Sequence, residues 1–117
     1  MALQEIKHVA DDQRMERCID SCSEASQACE WCADECIGMG EEMANCIRLC
    51  RDVADLTSMN ARFMSRNSGY SIDLSELVID AAEECADECE QHDHEHCQVC
   101  ADKLRTCADA CRDMVSA

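Results

Sequence analysis

Apolar and cysteine positions recur at steps of three and four along most of the chain, with acid-rich residues between them. This is the pattern of helices that each bury one stripe. From about residue 11 to residue 38 nothing breaks the pattern, and Met15, Cys18, Ile19, Cys22, Cys29, Cys32, Cys36 and Ile37 follow helical steps. A first helix of about seven turns is predicted there. "GMGEE" holds two of the three glycines and reads as a turn. Glu41 and Glu42 then open a second helix, where carboxylates favour the dipole. That helix runs from about 41 to 65, presents Met43, Cys46, Leu49, Cys50, Val53, Leu56, Met59 or Asn60, Phe63 and Met64, and stops at the loop "SRNSGYS". A third helix over 72–92 carries Leu74, Leu77, Val78, Ala81, Cys85, Cys89 and His92. Its N-cap is Ser71 or Asp73, and Glu76 is placed to complete a capping box with Asp73. After the polar run "QHDHEH", Asp93 caps a fourth helix over 94–115 with Cys97, Cys100, Leu104, Cys107, Cys111 and Met114 on one stripe. The first ten residues extend the first helix or form a small one of their own, with His8 exposed.

Four helices joined by short connections predict an all-α fold, an antiparallel up-down four-helix bundle in a single domain spanning residues 1–117. Composition agrees, because a chain with no proline and three glycines lacks the turns of a sandwich or barrel. It also adds a difficulty. Leu, Ile, Val and Phe make up under a fifth of the chain and the net charge is −16, a combination that usually marks disorder. The thirteen cysteines and the alanines must therefore fill the core, since a free thiol packs as a small hydrophobe. Such a core is thin, so a modestly stable metal-free form is expected.

Charge excludes some functions. Twenty-six acids face ten Lys and Arg residues, which argues against nucleic-acid binding and against anionic membranes. The same surface would suit a high-salt cytoplasm. No stretch approaches the length of a membrane span, and "MALQEIKHVADDQRMERC" carries no apolar signal region. A cytoplasmic location is expected, and there the thiols stay reduced.

Five cysteine pairs are spaced four apart (Cys18 and Cys22, Cys32 and Cys36, Cys46 and Cys50, Cys85 and Cys89, Cys107 and Cys111) and two are spaced three apart (Cys29 and Cys32, Cys97 and Cys100). Either spacing puts both thiols on one helix face. Disulfides within a pair are disfavoured: β-carbons one turn apart are about 5–6 Å from each other, whereas a disulfide needs about 3.5–4.5 Å. A zinc site would use a few such ligands once, on knuckles and loops, but here they recur up the length of a bundle. Soft thiolates also select Cu(I). Two metal–sulfur bonds of about 2.3 Å span about 4.6 Å, which two thiolates one turn apart can match. If thiolates also bridge, capacity approaches about one ion per sulfur.

Antiparallel order collects Cys29, Cys32, Cys36, Cys46, Cys50, Cys85, Cys89, Cys97 and Cys100 at one end, together with Met39, Met43, His92, His94 and His96. A metal-rich end with a soft-ligand mouth follows, with Met39, Met43 and His92 as added ligand candidates and His94 and His96 solvated. The other end holds Cys18, Cys22, Cys107 and Cys111 and is expected to be mostly apolar and closed, with Asn60 as a satisfied polar residue.

Repeated C-x-x-x-C on four helices, with "CIDSCSEASQACEWCADECIGMGEE" and "HCQVCADKLRTCADACRDM", resembles the bacterial and archaeal copper storage proteins from about Asp11 to Met114. The resemblance implies Cys-lined bundles holding many Cu(I) ions, with the inward cysteines as ligands and Met39, Met43 and His92 in the zone where such proteins place Met and His. It also implies assembly into homo-oligomers, often tetramers, and exchange with a copper chaperone or exporter. Leu104 stands where relatives often continue the cysteine ladder, which implies fewer ions at the closed end. Two other readings stay open: a metallothionein-like sink for zinc or cadmium, and a thiol redox protein using Cys29 with Cys32 or Cys97 with Cys100. No βαβ pattern surrounds those pairs and no general base can be named, so the expectation is a protein that is not an enzyme.

Overall fold

In the computed structural model, which describes residues 3–116, a short 3₁₀ turn at Leu3–Glu5 and a one-turn helix α1 (Lys7–Ala10) precede four long helices, α2 (Gln13–Cys36), α3 (Ala44–Ser65), α4 (Ser71–Glu90) and α5 (Glu95–Val115). Each long helix packs against its neighbours in sequence, and α5 closes the ring against α2. The result is an antiparallel four-helix bundle with principal extents of 46 × 26 × 18 Å. None of the described helices is long and apolar enough to cross a membrane.

Local chemistry sets the ends of the helices. The Asp12 carboxylate accepts hydrogen bonds from the Arg14 and Met15 amides at 3.0 and 3.2 Å, satisfying donors that the first turn of α2 leaves unpaired. Gly38 and Gly40 have φ of 84° and 113°, values that side chains resist, and they turn the chain into the 3₁₀ segment Glu41–Met43 ahead of α3. Asn67, at φ 54°, reverses the chain between α3 and α4.

Three expectations about caps are corrected. Neither Ser71 nor Asp73 caps α4, because both lie inside the helix and Tyr70 is the N-cap. The loop is tied instead by the Tyr70 amide donating to Ser68 Oγ at 3.1 Å. Asp93 does not cap α5. Its N-cap is His94, in extended conformation and without a side-chain cap bond. α4 also ends at Glu90, two residues before the expected end.

Residues 3–12 lie as a strap across one end of the bundle. Val9 is fully buried there, and His8, expected to be exposed, donates from Nε2 to the Met64 carbonyl at 2.8 Å. That carbonyl lies in the last turn of α3 and also accepts from the Asn67 amide at 3.1 Å.

The register of the bundle can be read from contacts between cysteines. Across α2 and α5, Cys18 faces Cys111, Cys22 faces Cys107, Cys29 faces Cys100 and Cys32 faces Cys97, each step forward on one helix matching a step back on the other. Across α3 and α4, Cys46 faces Cys89, Cys50 faces Cys85 and Asn60 faces Ser75 in the same manner. Carried along the helices, this register places a belt of Ala25, Val53, Ala82 and Leu104 between the nine thiols of one end and the four of the other. All four belt residues are buried. Outside the core, Arg105 of α5 bonds Glu83, Asp87 and Glu90 of α4 at 2.7–2.8 Å, a network that relieves part of the acidic self-repulsion.

Leu104 is the largest apolar side chain of the belt and is fully buried. Leu104→Ala is expected to lower the unfolding free energy of the reduced, metal-free protein by about 3 kcal/mol, read from urea denaturation. A loss below about 1 kcal/mol would show that the belt is not tightly packed.

Candidate metal centre

All thirteen cysteines are free and buried, each with 0% exposure. Helical stripes turn them inward, and the shared register stacks them into two groups. At the strap end, Cys18 and Cys111 lie 3.1 Å apart, and Cys22 lies 3.6 Å from Cys107 and 3.8 Å from Cys111. At the other end, Cys29 is 3.6 Å from Cys100, Cys46 is 3.7 Å from Cys89, and Cys32 is 3.9 Å from Cys97. Cys50 is central to that group, at 3.7 Å from Cys85, 3.9 Å from Cys89 and 4.0 Å from Cys100.

The shortest sulfur contacts therefore run between helices and not along them, unlike the clamp within one helix that spacing alone suggests. Antiparallel helices bring inward side chains head to head, whereas side chains one turn apart on a single helix stay roughly parallel. The sulfurs assemble into sets whose ligand atoms all lie within 4.8 Å of one another: Cys32, Cys36, Cys46 and Cys97; Cys32, Cys50, Cys89 and Cys100; Cys29, Cys50 and Cys85; and Cys18, Cys22 and Cys111. Cys32 and Cys50 each belong to two sets, so filling every set requires a bridging thiolate at both positions.

The thiols exchange hydrogen bonds, and these decide where a negative charge would reside. The bond to Cys111 and burial hold the Cys18 and Cys107 thiols above the usual range. Cys22, which receives bonds from Cys107 and Cys111, is pulled below it. In the larger group the bond to Cys29 holds Cys100 and Cys85 up, while Cys89 is lowered by bonds from Cys100 and Cys32. Burial raises Cys97 to about 11. The thiol bonds thus favour the thiolate form at one sulfur in each group, Cys22 in the smaller and Cys89 in the larger.

The candidate ligands other than cysteine separate clearly. Met43 is 1% exposed and lies at the start of α3 beside the nine-thiol group. Met39 lies on the turn at that end and is 38% exposed. His92 does not continue the thiol stripe of α4: the helix has already ended, and its Nε2 bonds Glu88 Oε2 at 2.7 Å. The histidine that reaches the thiols is His96, expected to be solvated. It is buried, with Nε2 3.5 Å from Cys36 Sγ, its ring stacked on His94 at 5.3 Å and edge-on to Trp31 at 6.1 Å. Its position one turn before Cys100 on α5 was the signal available in the sequence. Asn60 is the satisfied polar residue expected: Ser75 Oγ donates to its Oδ1 at 3.1 Å, and its Nδ2 donates to Cys22 Sγ at 3.4 Å.

The likeness to known proteins agrees with this geometry. Residues 11–116 match the family described as copper storage protein. A cysteine-rich protein of Bacillus subtilis strain 168, YhjQ, is 36% identical over 107 residues, covering 90% of this chain and 99% of that one. The structure of the Cu(I)-bound copper storage protein BsCsp3 superposes with a TM-score of 0.84 at 36% identity, covering 87% of this chain and 98% of that one. A cytosolic copper storage protein from Streptomyces lividans, with five coppers, does so with a TM-score of 0.86 at 34% identity, covering 90% and 94%. With this fold, thirteen buried thiols and a match over nearly its whole length, the chain belongs to the copper storage protein family.

Proposed function

We propose that the protein stores Cu(I) as its cargo on the core cysteines, without catalysing a reaction. The observation that carries this reading is the overlap of the thiol sets at Cys32 and Cys50, which suits bridged, multi-ion binding better than separate sites. Charge balance supports it. Among the described residues the buried polar ones are Ser21, Thr57, Asn60, Ser71, Ser75 and His96, with no lysine or arginine. A zinc ion on four thiolates leaves two negative charges in that environment, and uncompensated buried charge is strongly unfavourable. Cu(I) and thiolate in equal number leave none. Cys18, Cys22, Cys29, Cys32, Cys36, Cys46, Cys50, Cys85, Cys89, Cys97, Cys100, Cys107 and Cys111 are the proposed ligands, and Met43 and His96 extend the nine-thiol group toward its mouth. Met39 serves there as an outer capture group. His92, engaged by Glu88, is assigned a lesser part than the sequence suggested. A cytosolic location is in line with the S. lividans relative. Assembly into homo-oligomers, and exchange of copper with a chaperone or exporter, complete the reading.

An anaerobic titration of the reduced protein with Cu(I) against a competing chelator tests it. Uptake approaching one ion per cysteine, for thirteen cysteines, is expected before the competitor fills. Saturation at about three ions, the number a zinc-type Cys₄ arrangement would allow, would overturn it.

Loading should also depend on pH in one direction. A thiol raised to about 11, as Cys97 is, keeps its proton at neutral pH, so metal must displace it. Cu(I) affinity is therefore expected to fall as pH falls between about 8 and 6, with protons released in step with copper uptake in a pH-stat. Uptake without proton release would mean that the thiols are not the ligands.

A further inference from the structure

The end of the bundle beneath the strap was expected to be closed by ordinary apolar packing. Carrying the register one step past the last thiols gives a different composition. Met15 lies three residues before Cys18 on α2 and Met114 three residues after Cys111 on α5. Because Cys18 faces Cys111 at 3.1 Å, the two methionines occupy facing register positions about 4.5 Å further out, Met15 half-buried. On α3, Met64 is one turn beyond Asn60, whose amide donates to Cys111 Sγ at 3.7 Å. Across from it on α4, in the register that pairs Asn60 with Ser75, stands Ser71. All four helices thus contribute to one layer, three with a thioether and one with a hydroxyl. Met64 is fully buried, Met114 is 7% exposed and Ser71 is 6% exposed. Ser71 Oγ is the one buried side-chain polar atom without a hydrogen-bond partner among the described residues. A buried hydroxyl left unpaired is unfavourable, so this layer is not optimised as apolar filler.

We propose that Met15, Met64 and Met114 form a thioether site for Cu(I), one helical turn outside the Cys18–Cys111 pair. The site rests on the storage reading above and adds a second kind of position to it. Thioethers are soft ligands suited to Cu(I), and unlike thiols they carry no proton to displace. They also carry no charge, so an ion there keeps its own and is held more weakly than in the thiolate core. The site therefore fills last and empties first, and it gives Cys18 and Cys111 an exchange position at the end opposite the nine-thiol mouth. The strap above it is slight: α1 has four residues, and His8 holds it to the Met64 carbonyl. Beside the strap, a groove lined by Leu3, Ile19, Ala61 and Ser65, with Arg62 and Arg66 at its wall, runs between α2 and α3 past residues adjacent in sequence to Cys18 and Met64.

The test uses the full-length reduced protein labelled with ¹³C at the methionine methyls, titrated anaerobically with Cu(I) to saturation and compared with the variant Met15→Leu/Met64→Leu/Met114→Leu. The methyls of Met15, Met64 and Met114 are expected to shift in the last step of loading and to return when a mild chelator removes the weakest copper, without proton uptake. The triple variant should saturate at about one copper per chain fewer while its chelator-resistant copper is unchanged. Unmoved methyls at saturation would overturn the proposal. So would shifted methyls with unchanged capacity in the variant, which would reflect copper on the neighbouring thiolates alone. If the variant does not fold, the methyl shifts and their reversal without proton uptake decide the matter in the wild-type protein. No tight copper uptake by the wild-type protein would remove the storage reading and this site together, an outcome distinct from normal thiolate loading with silent methionines.

Discussion

A thiol is apolar enough to fill the core of a helical bundle, but once its proton leaves, its charge cannot remain there without a cation. The rest of the molecule depends on that constraint. Thirteen thiols at 0% exposure take the place that Leu, Ile and Val occupy in an ordinary bundle, and burial away from water favours the neutral form of a thiol. A monovalent soft cation that replaces each proton preserves that neutrality, so the same interior can be filled with thiols or with copper thiolate without a buried net charge. A divalent ion with four thiolates cannot do this, since among the described residues no lysine or arginine is buried.

Antiparallel register turns this chemistry into a structure with two ends. Matching steps on α2 with α5, and on α3 with α4, stack the sulfurs in layers. The belt of Ala25, Val53, Ala82 and Leu104 then divides a nine-thiol end from a four-thiol end. The two ends differ in what closes them. At one, His96 meets Cys36, with Trp31 and His94 packed on its ring. At the other, a methionine layer lies beneath the strap anchored by Val9 and His8. The acidic exterior has no part in holding the sulfurs, although Arg105 on its three carboxylates shows how scarce cations are placed to limit repulsion between α4 and α5.

Most of the helices and the inward direction of every thiol could be read from the sequence, because steps of three and four on an unbroken segment leave little freedom. The expected bounds of the first and fourth long helices differ from the structure by one or two residues. The pattern misleads where it extends beyond the helix that supports it. His92 continues the Cys85 and Cys89 stripe only if α4 runs past Glu90, and it does not. His96 sits within the polar run "QHDHEH" in the sequence, and it joins the face of Cys100 only because α5 begins at Glu95. The nearest thiol partners and the facing methionines at the strap end depend on register between helices, which no single stripe contains. The docking of residues 3–12 depends on one buried valine and one hydrogen bond to a helix end, a signal too local to stand out among exposed N-terminal residues.

Copper K-edge X-ray absorption on the fully loaded protein, prepared without oxygen, tests whether the sulfur core itself is the store. Cu(I) with a first shell made almost wholly of sulfur is expected, with strong copper–copper scattering from ions that share bridging thiolates such as Cys32 and Cys50. A first shell dominated by nitrogen or oxygen, or copper ions with no copper neighbours, would contradict it and would place the metal on the acidic surface or at isolated sites.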